Sequence, residues 1–270
     1  MLEMKVITVI SDLDNFGYKY VLRPSAEFFK FDLETLCELN YTSHRCKDFA
    51  LMEYLKTLHD DELVLFTDGY DTIFLGNEEE IFIKFQQSSY DILFSAEMIC
   101  WPDNALADRY PKVNTPYRYL NSGGFLGKVK ALKKCLAQEI VTESTVKYPF
   151  SNQIFWTELF LKNRSTIGLD AQCRIFCSMA SYEDLKTSET GKFDLKQYYQ
   201  TKLTWFVRNF TVENNRIRSR LTNEYPCHFH FQGWSKLLFE EVVKGIYLEG
   251  VTTERLLCEL VKLKETFLKE

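Results

Sequence analysis

The chain has 270 residues, 46% hydrophobic and 26% charged, enough for a domain to build its own core without disulfide or metal staples. Its formal charge of −5 lacks the basic excess of polyanion binders and sets nucleic acid aside as a partner. Acidic residues come too early for a signal-peptide core, no apolar run reaches transmembrane length, and the eight Cys contain no C-x-x-C pair of zinc-ribbon spacing. Free, mostly buried thiols and a cytoplasmic location are the expectation.

In chain order, KVITVI (5–10) is a β-branched run that stops at the polar Ser11-Asp12 and predicts a buried first strand. Arg23-Pro24-Ser25 signals a turn, and FDLETLCEL fits either a strand or a short helix. Apolar residues between Lys47 and Leu58 recur at helical spacing, ELVLFT (62–67) reads as a strand, 78–87 as a helix and DILFSA (91–96) as a strand. Strand, helix, strand, helix, strand predicts an α/β fold with a mostly parallel sheet, whose ligands bind beyond the carboxyl ends of the strands. Helices are expected near 129–141 and 151–162. Residues 181–224 read as polar and irregular, and the stretch from Lys236 to Glu270 as helical with a leucine face.

The sharpest motif is FTDGYDTIFL. Asp68 and Asp71, separated by Gly69-Tyr70 at the tip of a strand, form a DxxD pair that could share one hard divalent cation, Mn2+ or Mg2+, with substrate phosphates completing its shell. D-G-Y-D is equally a good turn sequence, so the residues alone leave a solvated surface turn open. Near the other end, PCHFHFQGWSK offers His228 and His230 on one side of a strand, with Gly233 and Lys236 following. Either histidine could be an ordinary residue near a turn. Gly233 favours His230 as the ligand, because the chain there can approach closely, and Lys236 could meet a phosphate as a point charge.

FTDGYDTIFL, FSAEMICWPD, LADRYP, YRYLNSGGFLG, LDAQCRIF and HFHFQGWSK occur in the same order as blocks of the glycosyltransferase domain of the procollagen lysyl hydroxylases, and the chain resembles that family over about residues 4–238. The resemblance implies a GT-A-type, Rossmann-like α/β sandwich over 1–238, followed by a helical extension over 239–270 that packs on it or dimerises. It also implies a metal held by Asp68, Asp71 and His230 and a UDP-sugar donor contacted by Val9, Ser11, Tyr70, Ser122, Gly123, Gly233 and Lys236. Tyr70 would pack on the uracil, and Asn121 would face the sugar. Glu97 and Trp101 match positions at the donor or acceptor end, and Gln232 replaces the family's usual Asn. The acceptor side departs from the pattern: Ser151-Asn152 stand where the family carries an acidic run, so no general base comes from there.

The resemblance implies transfer of a hexose, glucose or galactose favoured, to a glycan, glycoside or hydroxylysine-type hydroxyl. Retention is favoured, with Asn152, Asn121 and Glu97 as catalytic candidates. Glu158 and Asp170 are nearby carboxylates that read more readily as structural. A catalytically weak UDP-sugar or glycan-binding module and a metal-dependent nucleotide-diphosphate hydrolase are the alternatives. The family's iron and 2-oxoglutarate oxygenase segment has no counterpart in this sequence.

Overall fold

A computed structural model describes residues 4–182, 184, 195–213, 216–239 and 242–243. Its central sheet contains β1 (Met4–Ile10), β2 (Leu33–Cys37), β3 (Leu63–Thr67), β5 (Ile92–Glu97), β6 (Tyr119–Lys128) and β7 (Ile167–Asp170), in the order β2-β1-β3-β6-β5-β7. Five strands share one direction, and β6 runs against them between β3 and β5. The mostly parallel α/β sheet is therefore the observed architecture. Every residue of β3 and β5 is buried, which explains why they read as continuous apolar runs and not as alternating ones.

A smaller sheet combines β4 (Thr72–Phe74), β8 (Phe176–Ser178) and β11 (His228–His230), with β11 in the middle, antiparallel to β4 and parallel to β8. The four residues 68–71 thus form the passage from β3 in the large sheet to β4 in the small one. His230 lies opposite Thr72 across the β11–β4 pair, beside that passage.

Helices α1 (Arg23–Phe28), α2 (Arg45–Leu55), α3 (Glu78–Gln86), α4 (Val129–Leu136), α5 (Glu143–Lys147) and α6 (Asn152–Lys162) surround the sheets. The helix expected over 129–141 stops at Leu136. A second begins after Thr142, which caps it in a reciprocal pair with Thr145. Trp156 of α6 is fully buried against Phe94 of β5 and Phe125 of β6, with ring centroids 5.0 and 5.6 Å apart. Its Nε1 donates to Asp48 Oδ1 at 2.9 Å, so the indole's one polar group is satisfied inside the core and α2 is tied to α6.

The stretch expected to be irregular contains a 15-residue helix, α7 (Leu195–Asn209), and a hairpin of β9 (Phe210–Glu213) with β10 (Arg216–Ser219). The helices expected over 239–270 lie almost wholly outside the described residues. Phe239, Val242 and Val243 are described, and they are buried in a cluster with Phe229 and Phe231, so the start of that segment packs on the core. All seven described cysteines are free and five of them are buried, Cys173 and Cys177 included.

Candidate metal and donor site

The carboxyl ends of β1, β3 and β5 lie on one edge of the sheet, and β6, running the other way, brings its first half to the same edge. Its pairing with β5 shifts by three residues between Phe94↔Phe125 and Ser95↔Asn121, so Ser122, Gly123 and Gly124 bulge out of register. The bulge carries this backbone towards the small sheet. Gly123 O accepts the amide of Asp68 at 2.9 Å, and a Cβ on Gly123 would overlap the His230 ring and lie 3.0 Å from Asp68 Oδ2. Glycine is needed there because the imidazole lies against the backbone.

Ligand atoms of Asp68, Asp71 and His230 all lie within 4.8 Å of one another, one from the end of β3, one from the start of β4 and one from β11. His230 Nε2 is 3.3 Å from Asp71 Oδ1 and 3.6 Å from Asp68 Oδ2, with a well-formed hydrogen bond to neither. His230 Nδ1 lies 3.0 Å from Asn121 Oδ1, and that oxygen also accepts the Gly123 amide at 3.0 Å. The backbone donor fixes which atom of the Asn121 amide is oxygen, so Nδ1 carries the proton and neutral His230 directs its Nε2 lone pair between two carboxylates. A buried lone pair facing two anions suits a divalent cation bound by one nitrogen and carboxylate oxygens. Without one, burial acts against charge on His230, but Asp71 and then Asp68 prevail and raise its pKa. Burial likewise opposes the ionised form of Asp71, and His230 and Lys236 outweigh it and hold its pKa below the usual carboxylate range.

Two ammonium groups flank the pair. Lys47 of α2 is hydrogen-bonded to Asp68 Oδ1, and Lys236 Nζ is 3.1 Å from Asp71 Oδ2. Burial would discharge Lys47, but Asp68 holds its pKa up, at about 12. The site therefore offers fixed positive charge beside a cation position, the arrangement that receives a diphosphate.

A cleft of about 450 Å3 opens over this cluster and is lined by Asp68, Asp71, Asn121, Ser122, Gly123, Asn152, His230, Gly233, Lys236 and Glu97. The structure thus brings these sequence candidates together. Val9, Ser11 and Tyr70 do not line the cleft. Val9 is buried in the core, and Tyr70 Oη accepts the amides of Ser11 and Asp12 at 2.8 and 2.7 Å, fastening the end of β1 to the 68–71 passage. Gly17 permits the close approach of its backbone to Tyr70 O.

Glu97 is buried in the wall of the cleft. Its Oε1 accepts Gln153 Nε2 at 2.6 Å and its Oε2 accepts Gln232 Nε2 at 3.0 Å. Burial lifts its pKa to about 7 despite those two donors. Asn152 is the first residue of α6, after the Ser151 cap, and its Oδ1 accepts the Ser122 hydroxyl at 3.2 Å. Asn121 and Asn152 therefore both line the cleft and are held there by neighbouring residues.

Two sequence expectations resolve as structural. Glu158 is buried in a two-pronged pair with Arg109 at 3.2 Å, and Asp170 accepts the amides of Arg174, Ile175 and Phe176 to fold the loop before β8. His228, the other histidine of β11, is fully buried between the rings of Phe74 and Phe176 with Nε2 2.8 Å from Thr67 Oγ1; burial lowers its pKa to about 3. Sequence reasoning missed Lys47 and Gln153. Lys47 precedes buried Leu51 and Leu55 at i, i+4 and i+8, and a lysine on the buried stripe of a helix is the signal that could have found it.

The PLOD GT domain family matches residues 2–254. The human multifunctional procollagen lysine hydroxylase and glycosyltransferase LH3 is 31% identical over 255 residues, 86% of this chain and 32% of that protein. Human procollagen-lysine,2-oxoglutarate 5-dioxygenase 2 is 36% identical over 149 residues, 53% of this chain and 20% of that protein. The chain therefore spans a fifth to a third of the length of these relatives. A solved glycosyltransferase involved in glycosylating the major capsid of PBCV-1 superposes with a TM-score of 0.47 at 9% identity, covering 85% of this chain and 95% of that one.

Proposed function

The chain belongs to the PLOD GT domain family, and from that footing we propose that it is a metal-dependent glycosyltransferase moving a hexose, glucose or galactose, from a UDP-sugar to an acceptor hydroxyl. The observation that carries the reading is the orientation of His230. Its Nε2 is presented to Asp68 and Asp71 by Asn121, in a cleft that also holds Lys47 and Lys236.

In this reading Asp68, Asp71 and His230 hold Mn2+ or Mg2+, which when bound offsets the charge of the diphosphate. Lys236, whose side chain is 56% exposed, can turn from Asp71 to a phosphate oxygen. Tyr70 and Ser11 stand at the end of β1 on the nucleoside side, and the wall of Asn121, Ser122 and Asn152 faces the sugar. Both oxygens of Glu97 are held by amides, and Ser151-Asn152 offer no base. That favours a retaining front-face transfer. The acceptor oxygen bonds to the anomeric carbon as the bond to the diphosphate oxygen breaks, on the same face, and the acceptor proton passes to the departing diphosphate.

The test is UDP release from UDP-glucose and UDP-galactose with Mn2+, with chelator, and with Asp71→Ala. Turnover indifferent to both treatments would sink the reading. Ser151-Asn152 also favour a module that binds a UDP-sugar without turnover, and tight UDP binding with no transfer to any acceptor would establish that instead.

A further inference from the structure

His228 stands two residues before His230 on β11, yet it does not line the cleft. Its ring is fully buried, edge-on to Phe74 and Phe176 with centroids 5.3 and 5.4 Å away. Burial keeps the ring uncharged, so it carries one proton, and its two nitrogens divide the donor and acceptor roles between them. Nε2 lies 2.8 Å from Thr67 Oγ1, whereas Nδ1 is buried without a partner. Such a nitrogen costs stability that an apolar side chain in the same place would not, and packing alone gives no reason for a histidine here.

The hydrogens around Nε2 can be followed one by one. Thr72 Oγ1 donates to the backbone oxygen of Asp68, which leaves its own oxygen to accept Thr67 Oγ1 at 3.0 Å. Thr67 Oγ1 also lies 3.1 Å from Asp68 O. With its one hydrogen used on either acceptor, the Thr67 oxygen accepts from His228, and the ring proton sits on Nε2. In the opposite sense Thr67 would donate to Nε2 and leave a buried Nδ1–H with nothing to bond, and an orphaned donor is the rarer defect. The result is a directed chain, His228 to Thr67 to Thr72 to Asp68 O. All three side chains are fully buried, so no water competes for these bonds and each polarises the next.

Thr67 is the last residue of β3 and Thr72 the first of β4, so the two hydroxyls clamp both ends of the 68–71 passage that carries the carboxylates. The Asp68 amide is held by Gly123 O, and Asp71 O by the amide of Phe231. The remaining backbone oxygen at the start of the passage, that of Asp68, is the one this chain fixes.

We infer that His228 is a positioning residue of the cation site, the head of a hydrogen-bond chain through Thr67 and Thr72 that sets the turn on which Asp68 and Asp71 stand. This rests on the metal reading above and adds to it a residue that touches neither cation nor substrate.

The experiment compares the protein with His228→Leu, His228→Gln, Thr67→Val and the double variant His228→Leu/Thr67→Val. Mn2+ affinity is measured by calorimetry, global stability by denaturant melts, and amide hydrogen exchange over residues 66–74 by mass spectrometry on metal-free protein. His228→Leu is expected to weaken Mn2+ binding about tenfold, the lower end of what outer partners of a metal site contribute. Its global stability should be unchanged or raised, while exchange over 66–74 quickens. His228→Gln, whose amide can donate to Thr67 in place of Nε2, is expected to recover most of both losses. The double variant should bind Mn2+ no worse than Thr67→Val alone, since both substitutions break one chain. Unchanged affinity in His228→Leu, a loss matched by a fall in global stability, no recovery in His228→Gln, or losses that add in the double variant overturns the inference. If the unaltered protein binds no Mn2+, the metal reading falls, and exchange still decides the role of His228: rates over 66–74 that quicken in His228→Leu and return in His228→Gln support it, and rates indifferent to His228 overturn it.

Discussion

One carbonyl oxygen, Asn121 Oδ1, receives both His230 Nδ1 and the Gly123 amide, each at 3.0 Å, so the tautomer of the candidate metal ligand is set from outside the metal cluster. Outer partners of this kind are typically worth about 10- to 100-fold in metal affinity. Asn121→Ala should weaken Mn2+ binding by that range in calorimetry, whereas Asn121→Asp, still an acceptor of the same shape, should lose less. Equal affinity in Asn121→Ala and the unaltered protein would show that His230 needs no such orientation.

Asp71 is buried between His230 and Lys236. Asp71→Ala should abolish Mn2+-dependent UDP release by roughly two orders of magnitude or more, since one of two carboxylate ligands is removed. It should also abolish the rise in Tm that Mn2+ gives the unaltered protein, because a ligand stabilises only the state that binds it. Thermal scans with and without Mn2+ check this.

Gly123→Ala would drive a methyl group into the His230 ring. The ring must move off the backbone or the bulge must flatten, and either displaces Nε2 from the carboxylates. Metal affinity should fall together with about 1–3 kcal/mol of stability, the usual cost of overfilling a packed site. Denaturant melts and a Mn2+ titration on the same sample distinguish this from simple unfolding.

Glu97 has its pKa lifted by burial from 4.5 to about 7. Between those values the unfolded chain loses the proton that the folded protein keeps, so stability falls as pH rises from about 4.5 to 7 and levels off above. Glu97→Gln keeps a neutral side chain in place and removes that slope. The variant should gain on the unaltered protein as pH rises, by about 1 kcal/mol or more at pH 8, and the gain should vanish near pH 4.5. Melts at pH 4.5, 6 and 8 without metal measure it.

The strands β1, β3 and β5 were legible because burial on both faces leaves an unbroken apolar run that ends at a polar residue. β6 was not, because Asn121-Ser122-Gly123-Gly124 break the pattern where the strand bulges, and register is a property of the pair of strands, not of one. α7 was hidden by its polarity. The buried positions Tyr198, Lys202 and Phe206 follow helical spacing, but a lysine in the middle reads as surface until Asp184 is seen to face it. Asp68, Asp71 and His230 were visible as a turn and an alternating strand. Their meeting depends on β11 pairing with β4, a contact of residues more than 150 positions apart that no local pattern carries.

That pairing means the three candidate ligands come from both sides of the seam between the two sheets. A cation bound there would act as a rivet, joining the layer that begins the chain to strands contributed near its end. Its affinity would then report the cohesion of the seam. A substitution such as Phe229→Ala, which leaves all three ligands in place and removes a buried ring beside His230 in the small sheet, should first appear as a protein that folds and yet grips its metal poorly.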